Sequence, residues 1–151
     1  MSALMEKPKF QQDLETVAAR VLDLQVCDMP LVHRFTPNLY IREIFMPKGA
    51  LVVSLKHLTE HPFVVSKGHA AVLTEDGVIQ IKAPYCGITK AGTQRILFIH
   101  EDCVWTTFHV TKETDPEKIV QEVTEKPPFE GNQSWTGIDE DTMKALTGGI
   151  K

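Results

Sequence analysis

The 151-residue chain is short of several things, and each shortage argues against a class of protein. Its three cysteines, Cys27, Cys86 and Cys103, form no CxxC pair and no even-numbered framework. That speaks against a disulfide-stapled secreted scaffold or a cysteine zinc site, and for reduced thiols in a cytosolic protein. There is no run of basic residues and the formal net charge is −4, so the electrostatic footprint of a nucleic-acid-binding surface is missing. The longest apolar runs are a handful of residues, far below the roughly 20 that a membrane helix needs. The N-terminal stretch MSALMEKPKFQQ lacks the apolar core of a signal peptide. The expectation is a cytoplasmic protein with no membrane or nucleic-acid partner. What is present, 42% apolar residues of which few are aromatic, suits one domain with its own core.

Hydrophobic periodicity divides the chain into three parts. In residues 1–38, the apolar positions Phe10, Leu14, Val17, Ala18, Val21 and Leu22 recur at helical spacing and predict an amphipathic helix over 10–24. A connection containing Pro30 and Pro37 follows, expected to be irregular. Residues 39–111 read as strands: 40–46, 50–56, 62–66, 70–74, 78–82, 95–100 and 103–110. Pro47-Lys-Gly49, Lys67-Gly68 and Glu101-Asp102 are expected turns, and Asp76-Gly77 between two apolar runs is a hairpin signal. Short strands at this pitch argue for a sandwich or barrel. Residues 112–151 begin with a helix start, Thr114-Asp-Pro-Glu117, whose apolar edge is Ile119, Val120 and Val123. A tail with Phe129 and Trp135 as anchors and a short helix over 139–146 is expected to pack on the domain or on a partner subunit.

Among six histidines, His57 and His61 sit in a regular spacing: Gly49, five residues, Leu55, one residue, His57, three residues, His61, six residues, Gly68. This resembles the first motif of the cupin superfamily, Gly, five residues, His, one residue, His, three or four residues, Glu, six residues, Gly. Gly49, His57 and Gly68 fall on matching stations, Leu55 on the first His station and His61 on the Glu station. In the second motif Gly92 matches the glycine, Arg95 falls on the His station and Ile99 on the Asn station. With its flanks (YIREIFMPKGA, HLTEHPFVVSKG, HEDCVWTTFHVTKETDPEKI) the chain looks like small, mostly uncharacterised cupin-like proteins encoded by tailed bacteriophages. The resemblance implies an all-β cupin barrel (a double-stranded β-helix or jelly roll), with an N-terminal helix and a C-terminal helix plus tail. It also implies a phage origin, a place in the infected cell's cytoplasm, and a homodimer or larger homo-oligomer. It implies no reaction.

The departures from the motif carry the chemistry. A cupin centre offers three imidazoles and a carboxylate to a divalent metal, and this chain keeps one of those four positions. A guanidinium has no lone pair to donate, so Arg95 at a ligand station repels a cation and attracts an anion. His109 shares strand parity with Trp105 and Thr107, and joins His57 and His61 if that face looks inward. Glu60 is the nearest carboxylate in sequence but has the parity opposite to His61. His33, His69 and His100 attract no motif and read as structural, and Trp105 reads as core.

Three functions follow as expectations. The first is a binding module for a small anionic molecule, with Arg95 pairing with the charge and His57, His61 and His109 orienting the ligand. The second is a metal-dependent oxygenase, isomerase or hydrolase, with Fe, Mn, Ni or Zn on His57, His61 and His109. The third is a virion or assembly component.

Overall fold

The computed structural model describes residues 12, 25–26, 28–74, 76–125 and 133–136. The expected N-terminal helix over 10–24, Gln12 apart, lies outside the described residues, as do Phe129 and the tail helix over 139–146. Among the described residues eleven strands and one complete helix run in the order β1 (Gln25–Val26), β2 (Leu31–Thr36), β3 (Leu39–Met46), β4 (Leu51–Val53), β5 (Lys56–His57), β6 (His61–Thr74), β7 (Gly77–Lys82), β8 (Tyr85–Thr89), β9 (Ile96–Val110), α1 (Pro116–Val123), β10 (Thr124–Glu125) and β11 (Gln133–Thr136). Among the described residues no helix is long and apolar enough to cross a membrane.

Two long antiparallel strands, β6 and β9, form the spine. β9 pairs β6 along both arms, β4 along its first arm and β3 along its second. β6 adds the β7 hairpin at one end and β8 at the other. Bent strands that change neighbours partway along close a sheet on itself into a barrel. The expected all-β barrel is therefore what the chain forms.

Two expected turns proved to be one bend. Lys67-Gly68 and Glu101-Asp102 do not end strands; β6 and β9 run through both, and the register between them slips at 65–70. Gly68, with φ +98°, lies against the opposite strand. A Cβ there would stand 2.4 Å from the Asp102 carbonyl oxygen and 2.6 Å from Cys103 Sγ. Glycine and an acidic pair signal a reversal when read one segment at a time. Facing each other across a ladder they instead make irregular pairing that bends both strands without breaking them. The 50–56 segment divides the other way, into β4 and β5 around Ser54 and Leu55. Five strands among the described residues lie where no strand was expected: the short β1, β10 and β11, and the longer β2 and β8. β2 fits between Pro30 and Pro37, which bound it rather than prevent it, and β8 follows Pro84.

The core follows the alternation of these strands. Val65, Val72, Ile99 and Cys103 are fully enclosed, with Ile44, Met46, Phe63 and Trp105 around them. Each enclosed aliphatic side chain contributes about 1.5–3 kcal/mol relative to exposure. A second cluster seats the helix: Ile119 and Val123 of α1 pack on Tyr40 of β3. The helix begins as its sequence dictates, with Asp115 Oδ1 accepting the Glu117 amide hydrogen at 3.0 Å and Pro116 in the first turn. Val120 is half-buried on that apolar edge. β10 then pairs with β5, and Leu58 N donates to Val123 O at 2.7 Å, so the helix exit clamps the segment that carries His57. Trp135 enters through its backbone pairing with Leu51.

Candidate functional site

The two segments carrying the motif are stitched together by backbone. His57 N donates to Thr93 O at 2.8 Å, and Gly92 N donates to His57 O at 2.7 Å. Ser54 N donates to Arg95 O, Arg95 N donates back to Ser54 Oγ, and both bonds are 2.9 Å long. This double bond fixes where the Arg95 side chain leaves the chain, one residue before β9. His61, at the start of β6, pairs with Thr89 of β8 and is buried.

These residues open onto a cavity of about 80 Å³, room for a small molecule rather than a single water. His57, His61, Thr89, Arg95 and Thr107 line its polar part, while Ile44, Met46, Val52, Leu97 and Trp105 line its apolar part. Three of the four expected site residues thus share one cavity. The fourth, His109, stands behind it. As strand parity predicts, it is buried together with Cys103, Trp105 and Thr107. Its ring lies 4.4 Å from that of His61, centroid to centroid, with Tyr40 on its far side at 5.9 Å. The His57 ring lies 4.7 Å from that of His61. Glu60 is exposed and takes no part in the lining. Trp105 belongs to the core, as expected, and also faces the cavity.

The cavity contains a residue that the motif does not mark. Arg42, in the middle of β3 opposite Thr107, lines it as well. Its signal was parity: Arg42 alternates with Tyr40, Ile44 and Met46, all buried, so a cation stands on the face that points inward. The other strand face carries Ile41 and Phe45, so both faces look apolar and the sequence does not say which is enclosed.

The electrostatics are one-sided. Among the described residues no aspartate or glutamate lines the cavity. Burial pushes the His57 pKa down to about 3, helped by His61, Arg95, His109 and Arg42. Burial likewise pushes His109 down to about 4, with His61 and Arg42 adding to it. His61 is lowered by burial and by Arg95, against the opposing pull of its bond to Thr59. All three imidazoles are neutral near pH 7. Burial also lowers Arg42 and Arg95, yet guanidinium groups start so high that both keep their charge. Arg95 is held over aromatic faces, its Cζ 5.0 Å from the Phe63 centroid and 6.0 Å from that of Trp105.

Several buried polar atoms have no hydrogen-bond partner among the described residues: His57 Nδ1, His61 Nε2, His109 Nδ1 and Arg95 Nε. For His61 the tautomer is set. Its Nδ1 donates to the Thr59 carbonyl at 3.0 Å, and a carbonyl can only accept, so Nε2 holds a lone pair. His109 Nε2 bonds to Thr107 Oγ1 at 2.9 Å. The histidines read as structural have local partners: His33 with the Tyr40 hydroxyl, His69 Nε2 with Gln80 Oε1, and His100 with its ring tilted against that of His69.

Cupin centres hold metals, and the donors here suit one only in part. Three neutral imidazoles adjoin, each with an unpartnered nitrogen. Nevertheless, among the described residues no three His, Cys, Asp or Glu side chains are placed to hold one ion. The charges beside them are two arginines. As placed, the set does not fit a resident metal.

No protein-family model matches the chain, and no curated protein matches it significantly. Solved structures do resemble it in fold. Ectoine synthase from P. lautus is 9% identical with a TM-score of 0.54, covering 76% of this chain and 84% of its own. Salicylate 1,2-dioxygenase from Pseudaminobacter salicylatoxidans is 10% identical with a TM-score of 0.50, covering 76% of this chain and 34% of its own. A cupin-2 domain protein from Shewanella frigidimarina is 15% identical with a TM-score of 0.45, covering 62% of this chain and 90% of its own. The architecture is the double-stranded β-helix of cupins.

Proposed function

We propose that the protein binds a small organic anion in the barrel cavity. The observation that supports this most directly is the lining itself: among the described residues, two arginines, two neutral histidines and no acid. Arg95 meets the anion's charge, His57 and His61 orient it through hydrogen bonds, and His109 holds His61 from behind. Among the described residues no carboxylate lies within ion-pair distance of Arg95, so its charge is free to be matched by a ligand. Other proteins of this architecture, named for ectoine synthesis and salicylate oxygenation, use it for small-molecule chemistry. The likeness to phage-encoded proteins makes a metabolite of an infected cell the natural ligand. A thermal-shift screen of small carboxylates and phosphates tests the proposal. A ligand at 100 times its Kd should add about 2.7 kcal/mol of stability, an effect that Arg95→Ala should remove. A flat screen, identical in wild type and Arg95→Ala, would sink it.

A metal-dependent activity is the second reading, favoured by one observation, the three unpartnered imidazole nitrogens of His57, His61 and His109. Elemental analysis after dialysis against Fe, Mn, Ni and Zn decides it. Less than a tenth of an equivalent of every metal would end that reading.

We also propose a homodimer joined at β2. That strand is the outer edge of its sheet, all six of its residues are exposed, and Leu31, Val32 and Phe35 lie among them. Light scattering of the purified chain checks this, and a monomer mass at micromolar concentration would refute it.

A further inference from the structure

The cavity contains more positive charge than a single carboxylate would balance. Arg95 enters beside the first residue of β9, whereas Arg42 enters from mid-β3, opposite Thr107 near the other end of β9. The bend in β9 brings both ends of that strand to one cavity, and Leu97, Trp105 and Ile44 form the apolar wall that they share. The ion pairs among the described residues lie elsewhere and at the surface, Arg34 with Glu43 and Lys56 with Glu125. Arg42 has no hydrogen bond or ion pair among the described residues, and Arg95 Nε is buried without a partner. Removing a charge from water is unfavourable unless an opposite charge and hydrogen bonds replace the lost hydration. Two guanidinium groups in one lining, with neither an ion pair nor a shared acid among the described residues, leave two positive charges unmatched there.

We propose that the ligand of this cavity carries two negative charges, one matched by Arg95 and the other by Arg42, making Arg42 a second binding residue. This rests on the anion reading above and narrows it to dicarboxylates or phosphomonoesters. The three imidazoles are neutral and add no charge, so two is the number that balances the site. The apolar wall lies between the points where the two arginines enter, which suits a ligand with a short carbon skeleton.

Titration calorimetry at about pH 8, where a phosphomonoester has lost its second proton, provides the test. Four probes form two matched pairs: succinate with monomethyl succinate, and methyl phosphate with dimethyl phosphate. In the wild-type protein one dianion should bind at least tenfold tighter than its monoanionic partner. Arg42→Gln should erase that gap, because the dianion then loses the cation that matches its second charge. If succinate is preferred, the charges sit at two ends of the ligand; if methyl phosphate, on one group. Equal binding within both pairs would overturn the two-charge inference and leave the anion reading standing. No binding of any of the four would overturn both. The wild-type comparison decides the question even if Arg42→Gln does not fold.

Discussion

The guanidinium of Arg95 lies over the ring of Phe63, 5.0 Å from its centroid. That ring is itself fixed. It stacks on Trp105 at 4.8 Å with 12° between the planes, and a Cβ placed on Gly87 would come within 2.8 Å of its edge. The guanidinium is therefore positioned through three residues, none of which the motif spacing identifies.

Gly87→Ala should disturb the site without touching it. The added methyl forces the Phe63 ring to shift, at a cost of about 1–3 kcal/mol. Anion affinity should fall with it, because Arg95 loses its platform. Urea unfolding and titration calorimetry of the same variant measure the two effects, and unchanged affinity would show that Arg95 does not depend on the ring.

A comparison of two glycines isolates the cost of close approach. Gly68 and Gly92 both have positive φ, +98° and +87°, but only at Gly68 would a Cβ meet neighbouring atoms. Gly92→Ala should lose about 1–3 kcal/mol from conformation alone. Gly68→Ala should lose more, because Asp102 and Cys103 must move as well. Denaturant midpoints order the pair, and equal losses would mean that the bend can widen freely.

Acid should destabilise the fold through its histidines. His57 and His109 have folded pKa values near 3 and 4, below the ordinary 6.5 of the unfolded chain. Below about pH 6.5 the unfolded state takes up protons that the folded state refuses, so stability present at neutral pH declines as pH falls toward 4 and 3. Each site contributes a slope of about one kcal/mol per pH unit. Unfolding free energies between pH 7.5 and 4.5 should show this decline, and the His57→Gln, His109→Gln double variant should flatten it.

The thiols should differ in reactivity. Burial pushes the Cys103 pKa up to about 11, whereas Cys86 is exposed. Iodoacetamide on the native protein should label Cys86 and spare Cys103 until denaturant is added, as peptide mass mapping will report. Early labelling of Cys103 would mean that the bend at Gly68 opens readily.

How far the sequence reached can be traced residue by residue. Strand parity put His109 on one face with Trp105 and Thr107, because alternation is a property of the strand itself, and the closed barrel makes that face the buried one. The cap at Asp115 and the hairpin at Gly77 were legible for the same reason, since both are local. The bend at Gly68 and Asp102 was not, because its meaning depends on two segments facing each other across the ladder. Arg42 was missed because both faces of β3 carry apolar residues, and only the closed barrel shows which is inside. β2 was missed because its prolines lie at its borders, where they bound a strand as readily as they break one.

The two arms of β9 supply Leu97 at one end and Trp105 and Thr107 at the other to the cavity wall, and β3 is tied to the second arm by eight paired residues. Walls built from one hydrogen-bonded strand cannot swing apart without breaking the ladder. Among the described residues such a site has no jaw to close on what enters. Selection must then come from fit at first contact, and little ordering entropy is lost on binding.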